Sequence, residues 1–130
     1  MIHMKKINTL AALCLLVVVV ILTACKANPK EIISRKWKPI DASGENITED
    51  VKKNILKPGN MMEFTVKGNF TSYSEGEKPE DGSYTLSEDA KTVVIKAGVG
   101  RETEMKIREL NKRRLVLETE TMLLTLEPAK

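Results

Sequence analysis

The chain has 130 residues, 42% of them apolar and 30% charged, with a formal net charge of +3. That length holds one domain, since domains run to about 100–200 residues, and charge so close to balance lacks the basic stripe that nucleic acid requires. Its two cysteines, Cys14 and Cys25, offer no disulfide framework, because the segment holding Cys14 reads as one removed on export.

Lys5 and Lys6 precede 13 uninterrupted apolar residues, Leu10 to Leu22, and the small residues Thr23 and Ala24 follow. A positive start, an apolar centre of about 7–15 residues and a small-residue cleavage site make up a secretory signal. A permanent span takes about 20 apolar residues, so this block is short for one. Leu22-Thr23-Ala24-Cys25 resembles the lipobox of bacterial lipoproteins. By that resemblance residues 1–24 are cleaved away, Cys25 carries long acyl chains such as palmitate, and 25–31 form a lipidated tether. Two or more such chains hold a protein on a membrane, where one gives only marginal binding. Lys26 does not match the aspartate that retains such proteins in the inner membrane, and "KANPKE" lacks the acidic cluster that sends some to the cell exterior. The resemblance therefore implies the outer membrane, facing the periplasm.

Downstream, "IISRKWKPI" sets Ile33, Arg35 and Trp37 on one parity before Pro39, a first strand predicted over 33–38. Thr48 suits a helix cap, Glu49 and Asp50 suit the positive end of the helix dipole, and Ile47, Val51 and Ile55 recur at helical spacing. The short helix ends by Lys57-Pro58-Gly59. From residue 61 the period changes to two: Met62, Phe64 and Val66 alternate with polar neighbours up to a Gly68-Asn69 turn. Further strands are expected over 70–75, 82–87, 92–97, 102–110, 114–118 and 121–127, with "EGEKPEDG" as a polar loop and "NKRR" as a turn. Short connections make successive strands antiparallel neighbours. About eight of them dispose of two sheet edges by closing, so the fold class is all-β, a small up-and-down barrel with one short helix after the first strand.

In order and spacing, "MEFTVKGNFTSYSEG", "GSYTLSEDAKTVVI" and "IRELNKRRLVLE" are similar to the compact lipocalin-like lipoproteins of Gram-negative bacteria. The resemblance covers most of residues 32–127 and implies a lipocalin-like β-barrel domain over 32–130. Two features of true lipocalins differ here. Their Gly-x-Trp is Arg35-Lys36-Trp37, and the arginine that in them follows the last strand and packs across the tryptophan has no counterpart in "TLEPAK".

With 1–24 removed the chain keeps no histidine, since His3 is the only one, and the Cys25 thiol is consumed by lipid. Nucleophilic and general acid–base designs then lack their usual parts, so no enzyme activity, cofactor or metal is expected. The carboxylate pairs Glu102/Glu104 and Glu118/Glu120 read as solvated surface. Trp37, Phe64, Phe70, Tyr73 and Tyr84 are the candidate ligand-binding residues, with core packing as their other role and the tyrosines as candidates for a rim. Lys112-Arg113-Arg114 reads as a solvated turn or an anionic-lipid contact. The expected function is non-catalytic binding of a small apolar or amphipathic ligand, which needs a pocket of about 300 Å³ or more beside Met62, Phe64, Leu115, Leu117 and Leu124. The alternative is an envelope protein partner held through the loops.

Overall fold

Eight antiparallel strands close on themselves in a computed structural model that describes residues 28–130. Cys25 and the export segment lie outside those residues. The strands are β1 (Lys36–Ser43), β2 (Met61–Phe64), β3 (Asn69–Tyr73), β4 (Glu80–Leu86), β5 (Thr92–Ala97), β6 (Arg101–Leu110), β7 (Leu115–Glu118) and β8 (Leu123–Pro128). Each pairs with the next, and β8 returns to β1. Helix α1 (Pro29–Ile33) precedes β1, and α2 (Glu49–Ile55) joins β1 to β2. None of the described helices is long and apolar enough to cross a membrane.

The all-β, up-and-down barrel expected from the sequence is the fold observed, with the short helix after the first strand. Thr48 caps α2 by accepting from the Val51 N–H at 3.3 Å, and Ile47 and Ile55 pack against the core as their spacing predicts. Val51 does not; it is 39% exposed.

Three local expectations change. The first strand is not 33–38. Pro29–Ile33 is helical, and β1 runs through Pro39 to Ser43. Arg35 and Lys36 send their carbonyls to opposite sides, to Phe64 and Ala129. By that alternation the ring nitrogen of Pro39 faces the β2 side, where pairing has ended at Trp37–Met62, so no ladder bond is lost. A bulge between Pro39 and Asp41 then restores Ala42 to the interior. Val66 does not continue the inward alternation, since β2 stops at Phe64 and Val66 stands in the turn, 58% exposed. Glu80 and Asp81, expected at the end of a loop, begin β4 ahead of the predicted start at Gly82.

The barrel has two unlike ends. At one lie α1 and the turns at 65–68, 87–91 and 111–114; at the other lie α2 and the turns at 74–79, 98–100 and 119–122. The core between them includes Trp37, Val93, Leu115 and Leu126, all at 0% exposure.

Candidate functional site

The end beneath α1 is shut by side chains. Asn28 caps α1 through its side-chain oxygen, which accepts from the Lys30 N–H at 3.0 Å, and Pro29 occupies the first turn. Ile33 closes the helix and is wholly buried in the barrel base. Its carbonyl accepts from Trp37 Nε1–H at 2.9 Å, which satisfies the one polar atom of a buried indole. Over the same ring lies the Arg35 guanidinium, 5.7 Å from the ring centroid, with Nη1 donating to the Lys112 carbonyl at 3.2 Å. Arg35 Nε is buried with no hydrogen-bond acceptor among the described residues. The indole face is thus an important part of what offsets its desolvation.

Next along the interior come Phe64, Phe70 and Tyr84. The Phe64 ring meets Tyr84 edge-on at 5.0 Å and Phe70 tilted at 5.1 Å, geometries worth about 0.5–1.5 kcal/mol per pair beyond burial. Tyr84 Oη donates to the Thr65 carbonyl at 2.7 Å, which ties the β2–β3 turn to β4. Four of the five candidate aromatics, Trp37, Phe64, Phe70 and Tyr84, are therefore core residues. Tyr73 is apart from them. It pairs with Met61, one position out of phase with the inward Met62–Ser72 pair, and so lies on the outer wall. There Lys36 Nζ sits 5.0 Å over its ring and its phenol donates to Glu63 Oε1 at 2.8 Å. That bond, then burial, then the nearby Glu63 charge hold the phenol above its ordinary pKa. Tyr73 ends β3 beside the turn at the opposite end but faces outward, and Tyr84 is buried in the core.

That opposite end is open. Cross-strand partners share a face, so Thr103, paired with buried Ile95, and Arg101, paired with Ala97, belong to the inner face of the wall. Both are nonetheless exposed. β7 joins β6 only from Lys106 onward, which leaves the β5–β6 hairpin standing above the rim with Val99 fully exposed at its tip. Inside the rim, Ile47, Ile55, Met62, Ala97 and Met122 are partly buried over the core. A cleft of about 390 Å³ at this end is lined by the last residue of β1, Gly44 to Asn46 and the β7–β8 turn. The turn lacks glycine and holds its shape through Thr119, whose Oγ1 accepts from the Met122 N–H at 3.2 Å.

The charges nearby are structural. Lys52 Nζ lies 2.8 Å from Asp41 Oδ1 and ties α2 to β1, lowering the Asp41 pKa chiefly through that hydrogen bond. Arg108, left without a cross-strand partner by a bulge in β6, faces outward and binds Glu118 through two nitrogens, which lowers the Glu118 pKa. Glu102 and Glu104 are exposed, as is Glu120. Among the described residues no group of three His, Cys, Asp or Glu is placed to hold a metal ion.

Two solved structures share this architecture. A lipocalin-like protein from Bacteroides uniformis ATCC 8492 aligns with 16% identity and a TM-score of 0.58, covering 75% of this chain and 98% of that one. An uncharacterized protein from Bacteroides eggerthii DSM 20697 aligns with 15% identity and a TM-score of 0.59, covering 75% and 99%. No family model and no curated protein matches the chain. At such identities the likeness extends to the fold.

Arg35, Arg101 and Thr103 were not among the candidate residues. The position of Arg35 two residues before Trp37 was a usable signal, since a strand-like spacing of two puts both on one face. Arg101 and Thr103 carry no such signal, because their exposure depends on where β7 ends.

Proposed function

We propose that the protein is a lipoprotein, acylated at Cys25 and anchored in the outer membrane facing the periplasm, whose barrel binds a small apolar or amphipathic ligand without catalysis. The observation that carries the binding reading is the open inner face at Arg101 and Thr103 above a filled core. Phe64, Leu115 and Leu117 are at most 1% exposed and Leu124 is at 5%, so the lumen at their level is occupied by the protein itself. The ligand accordingly sits at the mouth, against Met62, Ala97 and Met122, with its polar end toward Arg101. The 390 Å³ cleft at this end shares Met122 with that position and otherwise lies between the end of β1 and the β7–β8 turn.

Native mass spectrometry of the acylated protein purified from its own envelope tests this. A retained small molecule that is lost in Thr103→Trp supports a mouth site, and a bare protein mass speaks against ligand binding. The anchor has its own test: labelled palmitate and partition into a detergent phase are expected for the native chain and absent in Cys25→Ser.

A second reading rests on Val99. A fully exposed valine between two glycines at a projecting tip suits contact with an envelope protein. A stoichiometric partner in detergent extracts, lost in Val99→Asp, supports that reading instead.

A further inference from the structure

The barrel is polarised along its axis. Residues 28–130 hold 18 basic and 18 acidic side chains. The segments at the α1 end, 28–38, 63–69, 87–92, 107–115 and 126–130, carry 11 of the bases and 6 of the acids, leaving 7 and 12 for the remainder. A neutral domain is therefore basic at its closed end and acidic around its mouth.

The basic end also has a built concavity. A cleft of about 880 Å³ reaches from it along the wall to Pro58 and Met61 and is lined by Lys38, Lys112, Arg113 and Lys130, with Glu127 the single acid among its lining residues. None of these four bases takes part in the ion pairs found among the described residues. The turn that presents two of them is fixed: Asn111 Oδ1 accepts from the Arg113 and Arg114 N–H groups at 2.8 and 2.9 Å, and the Lys112 carbonyl is held by Arg35.

The chain enters at this end. Asn28, where α1 is capped, is three residues beyond Cys25, a distance of at most about 10 Å at about 3.3–3.6 Å per residue. Resting on the anchor reading above, we infer that the face formed by Lys38, Lys112, Arg113 and Lys130 docks on the phosphate-bearing anionic headgroups of the membrane that holds Cys25. The acidic mouth is repelled by the same surface and points away from it, so the anchored barrel stands end-on with its opening toward the aqueous compartment.

The test uses the full chain as purified from its own envelope, on nanodiscs of phosphatidylcholine alone and of equal parts phosphatidylcholine and phosphatidylglycerol, each doped with a headgroup nitroxide. Expected is attachment to both, with amides 111–114 broadened far more than 98–100 only where phosphatidylglycerol is present. Each basic residue removed from an anionic surface costs about fivefold in the bound ratio. Lys112→Glu with Arg113→Glu, two exposed positions, should lower docking roughly 25-fold or more, and about 1 M salt, with a screening length of about 3 Å, should abolish it. Attachment to both discs with equal broadening at the two ends overturns the docking face and leaves the anchor standing. Attachment to the anionic disc alone overturns the anchor and supports the face; attachment to neither overturns both.

Discussion

The two ends of this barrel are built from the same eight strands and treat water in opposite ways. At the α1 end, Ile33 and Trp37 are buried, the indole N–H is bonded to the Ile33 carbonyl, and the Arg35 guanidinium lies over the indole while donating to the Lys112 carbonyl, with only its Nε left without an acceptor among the described residues. At the mouth, β6 outruns β7 and inner-face positions meet solvent. A closed sheet needs the first kind of end to be stable, whereas the second carries few of the buried contacts and is free to vary. Stability should thus be concentrated at one end and recognition at the other.

Substitutions can break that division. Trp37→Ala should have the largest effect, a loss of about 3–5 kcal/mol in urea unfolding; a loss under about 1 kcal/mol would mean that the closed end is not the stabilising one. Ile33→Ala follows, at about 2–5 kcal/mol. Arg35→Ala should cost about 1–2 kcal/mol from the cation–π contact, with Arg35→Lys recovering part of it. On the mouth side, Thr48→Ala removes the α2 cap and should cost about 1 kcal/mol, while Thr103→Ala should stay within about 0.5 kcal/mol.

Titration gives the smallest effect. Asp41, Asp89 and Glu118 have lowered pKa values, owing first to hydrogen bonds from Lys52, Ser87 and Arg108. Their contribution is present above the unfolded carboxylate range and fades as pH falls through the folded values, so Tm should drop below about pH 4. Glu118→Gln should flatten part of that drop. Tyr73 has the opposite sign: its raised pKa makes its contribution present below the ordinary tyrosine value and lost as pH rises. Glu63→Gln should bring its absorbance titration back down.

Most of the strand order was legible because it is local. Thr92–Ala97 was read to the residue, and Thr48 was recognised as a cap from its neighbours alone. The errors fell where a distant partner decides. Pro39 looked like a strand end, yet it survives within β1 because β2 has already departed on the side it faces. Tyr73 and Tyr84 looked equivalent in sequence, and the register sends one outside and the other inside. Arg35 stands over the indole from before Trp37, the role that the resemblance assigns to an arginine after the last strand.

Alternating side chains, turn residues and a capped helix were enough for the sequence to specify eight short strands, their antiparallel order and the need to close, since each depends on neighbours within a few positions. The apolar block Leu10 to Leu22, three residues before Cys25, carries its export reading in the same local way. Only the tertiary structure decided which end is sealed, which inner positions remain wet, and that charges scattered evenly along the chain gather as basic at one pole and acidic at the other. Those outcomes depend on strand lengths relative to one another and on register, which no single stretch of sequence contains.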